Sequence, residues 1–183
     1  DAKVGDWVVT PRIGKPVEIN ALWHEALRVG AEWARRFDYH DDGAHWKKLA
    51  ERCAGSFGRR FWNSDGEYLY DVVDCDHRPG TADDALRPNQ LFAISLKRPL
   101  LARQKWRRVV DVVREYLLTP MGLRTLAPSH SAYFGRYRGD QKQRDAAYHQ
   151  GTVWPWLLGP MITAFVRAHA DAADARIMAR SFL

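Results

Sequence analysis

The densest set of chemistry-bearing side chains lies between Arg144 and Trp156. Asp145, Tyr148, His149 and Gln150 come directly before Trp154 and Trp156. Such a run pairs groups that hydrogen-bond hydroxyls with indole faces that cover the C–H side of a ring, the combination a polyhydroxylated ligand needs. Gly151 between them permits close approach of the backbone. Each residue also has a plainer reading. Trp156 is read as core, because the helix it opens is nearly all apolar, and His149 is as readily a satisfied structural histidine as a ligand contact.

Two other short segments carry the same polar character. Arg12, Lys15, Glu18 and Asn20 crowd the start of a helical pattern. There Glu18 either touches a ligand or serves the helix by meeting its positive end. Arg87, Asn89 and Gln90 open a second apolar segment; their amides can donate and accept, and Asn89 could equally act as a cap. Asp71, Asp74, Asp83 and Asp84 are read as solvated loop acids. Of the eight tryptophans, Trp33, Trp46 and Trp106 fall on helical stripes and are assigned to core, whereas Trp7, Trp23 and Trp154 stand beside polar residues.

Several chemistries find no support. Ser129 and Ser131 flank His130 without a nucleophile elbow. No phosphate-binding or dinucleotide glycine pattern occurs. The seven histidines show no metal-ligand spacing, so neither a metal nor an organic cofactor is expected. Cys53 and Cys75 are read as incidental thiols, in keeping with a cytoplasmic protein. The net charge of +6 is spread over the outer faces of helical segments, against nucleic-acid binding. No run is long and apolar enough for a membrane span.

The elements that must position these residues are mostly helical. Residues 17–37 form the clearest amphipathic helix, with Leu22, Ala26, Val29, Gly30, Trp33 and Phe37 as its inward stripe. A second helix, 43–62, turns Trp46, Leu49, Ala50, Cys53 and Phe57 inward and is joined to the first by a short link, so the two are antiparallel neighbours. A strand-like run covers 68–73, and a long loop covers 75–88. Helices follow over 88–97 and 102–117, the latter with Trp106, Val109, Val110, Val113 and Leu117 inward. Residues 119–152 read as an extended loop region, and helix resumes from 153, with a last one near 171.

Four blocks resemble a known family: TPRIGKPVEINALW (10–23), LRPNQLFAISL (86–96), LLTPMGLRTLAP (117–128) and RDAAYHQGTVWPWLLGP (144–160). They are similar to signature segments of the C-terminal domain of glycogen-debranching enzymes. That resemblance implies an all-α (α/α)6 barrel with amylo-alpha-1,6-glucosidase activity, no cofactor, and glycogen or a branched α-glucan as partner. It further implies that residues 1–183 are part of one such toroid, with roughly half of its helix pairs and the remainder supplied by the same polypeptide.

By the same resemblance Asp1 is the general acid of an inverting two-carboxylate mechanism, and the base lies beyond Leu183. Arg12, Glu18, Asn20, Trp23, Asn89, Gln90, Tyr148, His149, Gln150 and Trp154 are the expected substrate contacts. Rival expectations are a glucoamylase- or trehalase-like barrel enzyme and a non-catalytic carbohydrate-binding fragment.

Overall fold

The computed structural model describes residues 2–170 and 172–183, so the proposed acid Asp1 lies outside the described residues. The chain opens with a hairpin of β1 (Ala2–Val4) and β2 (Trp7–Thr10), then β3 (Lys15–Pro16) leads directly into a helix. α1 (Val17–Arg36) and α2 (His40–Arg60) form the expected antiparallel hairpin. Their close packing needs small residues at the contact. A Cβ on Gly30 would come within 2.9 Å of the Trp46 ring, so the indole lies against bare backbone.

The buried face of α1 differs from the expected stripe. Val17, Ala21, His24, Leu27 and Ala34 are buried, whereas Leu22, Trp33 and Phe37 are exposed. Both series run at helical spacing, so periodicity alone could not choose between them; Trp33, 63% exposed, is not core. The α2 assignment holds, with Ala50 and Phe57 buried and Cys53 half-buried.

The strand-like run 68–73 is two pieces in two sheets. β4 (Trp62–Asn63) pairs with β5 (Tyr68–Leu69), while β6 (Val72–Val73) lies between β3 and β7 (Ala82–Asp83). The polar loop after β6 is therefore partly tied down. Asp74 is buried and accepts from Lys15 at 2.5 Å, from the Gly80 amide at 3.0 Å and from Arg60. The bonds from Arg60 and Lys15 hold its carboxyl well below the usual range. The solvated-acid reading fails for Asp71 and Asp74 alike. Asp83 is half-buried and caps the Ala85 amide, while Asp84 is exposed.

The segment expected as helix 88–97 is a 3-10 turn, Pro88–Leu91, running into a single α turn, α3 (Phe92–Ser95). α4 (Trp106–Leu117) matches its expected stripe: Val109, Val110, Val113 and Leu117 are buried, and the Trp106 indole donates to the Leu101 carbonyl at 2.7 Å. Each such buried aliphatic side chain contributes roughly 1.5–3 kcal/mol relative to exposure.

Residues 119–152 are more ordered than a Pro- and Gly-rich composition suggested. β8 (Leu118–Thr119) turns back as β9 (Gly122–Arg124), and α5 (Gln141–Tyr148) starts on a capping box. There Asp140 accepts from the Gln143 amide and the Gln143 side chain accepts from the Asp140 amide. β10 (Val153–Trp154) completes the β8–β9 sheet and feeds, through a 3-10 turn, into α6 (Leu158–Ala168). The final helix, α7 (Ala175–Arg180), begins later than expected, and Asp171 lies outside the described residues.

The class is thus mostly helical, with four small sheets among the described residues whose short strands the all-α expectation left out. Leu91, Ile94, Val109, Val113, Met161 and Phe165 centre the core, where α3, α4 and α6 meet. Among the described residues no helix is long and apolar enough to cross a membrane.

Candidate functional site

A cavity of about 620 Å³ opens where the signature segments converge. The stretch after β2 supplies Arg12, and the first turns of α1 supply Glu18, Ile19 and Leu22. The turn before α3 brings Arg87, Asn89 and Phe92. Tyr148 and His149 come from the end of α5, and Trp154 and Trp156 from the start of the last core segment.

Arg12 organises the polar end. Its Nη1 and Nη2 donate to the two oxygens of Glu18 at 2.6 and 2.7 Å, and its Nε donates to Asp71 Oδ2 at 2.6 Å. Nη2 also reaches Asp71 Oδ1 at 2.9 Å. One planar fork thus joins two carboxylates, a geometry a lysine ammonium could not reproduce. Burial pulls the Arg12 guanidinium down, but the bonds to Glu18 and the charge of Asp71 outweigh it, so its pKa lies above the ordinary value.

Asp71 sits behind this fork, 1% exposed, and also accepts from Asn89 Nδ2 at 3.1 Å. Burial pushes its carboxyl up while Arg12 and Arg87 pull the other way.

Arg87 is the second buried cation, with Nε 3.5 Å from Asp71 Oδ2. Its Nη1 donates to the carbonyls of Thr125, at 3.1 Å, and His149, at 2.5 Å. Its Nη2 donates to Gln150 Oε1 at 2.7 Å. It therefore fastens the end of α5 to β9 and to the acid behind the cavity. The His149 imidazole is lowered by burial and then by the charges of Arg87 and Arg12, so it is neutral at neutral pH.

The opposite wall is aromatic. Tyr148 and Trp154 rings lie 4.7 Å apart, Tyr137 packs edgewise on both, and the Trp154 indole donates to the Tyr148 carbonyl at 3.1 Å. Phe92 and Trp156 face each other at 6.3 Å. The core reading of Trp156 is corrected by its 61% exposure. It stands in the 3-10 turn before α6, where Trp156 and Leu157 line the cavity.

Two glycines make these approaches possible. Gly122 has φ +135°, and a Cβ there would be 2.5 Å from the Trp154 carbonyl oxygen. Gly151 has φ +138°, and a Cβ would be 2.6 Å from the Tyr133 ring; the close approach foreseen for Gly151 is made to that ring.

Of the expected contacts, the fold brings Arg12, Glu18, Asn89, Tyr148, His149 and Trp154 to one hollow. Four are placed otherwise. Gln90 is 1% exposed, with its oxygen taken by the Leu69 amide and its nitrogen by the Arg87 carbonyl, so it braces the cavity from within the core. Asn20 donates to the Pro16 carbonyl, closing the first turn of α1, and Trp23 is exposed on α1 next to Leu22 without lining the hollow. Gln150 acts through Arg87.

Residues that sequence reasoning missed are Asp71, Thr10, Thr125, Phe92 and Tyr137. A signal existed for Asp71: it stands between strand-like Tyr68–Tyr70 and Val72–Val73, where an acid facing solvent would be out of phase with the burial of its neighbours.

Charged and amide groups at one pole and rings along the wall define a cavity suited to a polyhydroxylated, ring-shaped ligand. Over residues 1–182 the chain matches the amylo-alpha-1,6-glucosidase family, and it belongs to that family. It is similar to the glycogen debranching enzyme of Saccharomyces cerevisiae, 28% identical over 193 aligned positions. That alignment covers 87% of this chain and 12% of the yeast protein, so the chain spans a small part of the length of the curated relative it matches.

Proposed function

We propose that the chain forms part of a glycoside hydrolase that cleaves α-1,6-glucosidic branch linkages in glycogen-like glucans, with inversion. The observation that carries this reading is the shared hollow itself. A family member places Arg12, Glu18 and Asn89 opposite Tyr148, Trp154 and Trp156 around one space of sugar size.

In this reading the polar pole orients the hydroxyls of a terminal glucose, and the indoles cover its apolar face. Glu18 and Asp71 both accept from Arg12, so in this reading they fix the shape of the polar pole and leave the proton chemistry to other carboxyls. Asp1 is the proposed acid, and a second carboxylate from the remainder of the polypeptide is the proposed base. The base takes a proton from water, whose oxygen bonds to the anomeric carbon. The glycosidic C–O bond breaks as the acid protonates the leaving oxygen. Carboxyls roughly 6.5–9.5 Å apart leave room for that water. The fold proposed for the whole domain is an (α/α)6 barrel, of which the α1–α2 hairpin is one unit, and its proposed location is the cytoplasm.

The test is product analysis by NMR with the intact parent enzyme. Release of β-glucose from a branched dextrin, with a linear glucan left uncut, is expected. Cleavage of the linear chain instead would move the assignment to a glucoamylase-like enzyme. The 183-residue chain alone is expected to bind glucose oligomers without hydrolysing them, and turnover by it would overturn the placement of the base.

A further inference from the structure

A second concavity, of about 450 Å³, runs between α1 and α2, on a stretch of the hairpin that does not line the aromatic cavity. Arg28 lies ten positions beyond Glu18, about 15 Å along the helix axis. α1 contributes Arg28, Ala31, Glu32 and Arg35; α2 contributes His40, Gly43, Ala44 and Lys47. Both sets run at i, i+3, i+4, i+7, so each is a single helix face turned toward the other.

The floor is narrow because the helices nearly touch: a Cβ on Gly43 would meet the Ala31 carbonyl at 3.4 Å and the Ala34 Cβ at 3.5 Å. Three long cationic arms rise around that floor of small residues.

The charges there are not balanced. The Glu32 carboxylate is held by Arg98, which also binds Glu25 at 2.7 Å. Arg28, Arg35 and Lys47 have no carboxylate within ion-pair distance among the described residues. Asp38 lies 3.6 Å from His40, and Asp41 and Asp42 in the first turn of α2 do not line the groove. Asp41 and Asp42 offset the positive end of α2, so the excess charge of the groove comes from the three side chains themselves.

We propose that this groove binds the phosphate group of a small phosphate monoester, gripped by Arg28 and Arg35 from one helix and Lys47 from the other. Guanidinium forks match the oxygens of a phosphate, and the remaining space holds an organic part of monosaccharide size. The site is independent of the proposed glucosidase chemistry, because none of its residues lines the aromatic cavity.

Calorimetric titration of the 183-residue chain at fixed ionic strength, with inorganic phosphate, glucose 6-phosphate and glucose as probes, tests it. Both phosphates are expected to bind saturably. The double substitution Arg28→Gln/Arg35→Gln should weaken them at least tenfold, and Lys47→Gln several-fold. Arg107→Gln, an exposed charge on α4, should leave them unchanged, and all variants should keep the parent circular dichroism. Tighter binding of the sugar phosphate than of inorganic phosphate supports a site that reads the organic part as well. Absence of saturable binding for either phosphate, or equal binding by the double variant and Arg107→Gln, overturns the proposal.

Discussion

Arg12 and Asp71 set the residue-scale energetics of the cavity. Removing the Asp71 carboxylate leaves Arg12 and Arg87 sharing a buried space with one acid fewer. Breaking a buried pair in this way costs about 3–5 kcal/mol, mostly as the penalty for the charge left behind. Asp71→Ala is therefore expected to lower the urea midpoint sharply and to abolish oligosaccharide binding. At the aromatic wall the effect is different in kind. Trp154 is half-exposed and packs on Tyr148 and Tyr137, so Trp154→Ala should keep the fold. It should raise the Kd for a glucose oligomer roughly tenfold, about 1.4 kcal/mol. An unchanged titration would remove Trp154 from the ligand surface.

At the scale of elements, the three-stranded sheet β8–β9–β10 holds the aromatic wall against the core, and its tightest point is Gly122. Alanine there meets both an unfavourable φ and the Trp154 carbonyl. Strain and overpacking together cost about 2–5 kcal/mol. Gly122→Ala should lower the unfolding midpoint and weaken oligosaccharide binding together, whereas Gly58→Ala, with open space at its Cβ, should do neither.

The same elements show what a sequence discloses. α4 was legible because its apolar positions make one stripe with one outcome. α1 was not, because two stripes of similar hydropathy compete, and which is covered depends on residues distant in sequence. α5 was hidden in a segment rich in glycine and proline, although Asp140 and Gln143 form a capping box that marks its start. Site residues legible by type were those with exposed polar or aromatic ends, such as Arg12 and Trp154. Gln90 was misplaced because an amide that satisfies backbone groups inside the core has the same spelling as one that meets a sugar.

Across the whole molecule, two imidazoles tie stability to pH. His24 is 7% exposed and is lowered by burial and by Arg28; His149, exposed at the rim of the cavity, is lowered by partial burial and by Arg87 and Arg12, and solvent screening makes its contribution the smaller one. In the unfolded chain both titrate near 6.5, above their folded values, so below that pH the unfolded state binds more protons. Stability from these groups is present above about pH 6.5 and is lost as the pH falls toward the folded pKa values. Thermal unfolding midpoints should decline as the pH falls below about 6.5, and His24→Leu should flatten the curve. A midpoint that rises on acidification would contradict the burial of the His24 ring.

Arg12 takes one partner 6 residues downstream and another 59 residues downstream. The near clasp can form as soon as α1 begins, but the distant one waits for the intervening helical hairpin to fold back. Closing so large a loop carries an entropic toll that grows only slowly, about 0.6 kcal/mol for each doubling of length. The toll must nonetheless be met before the ion pair returns anything. A ribosome-tethered chain shorter than the last aromatic wall residue can thus hold a finished hairpin and still lack any trace of a sugar-sized hollow.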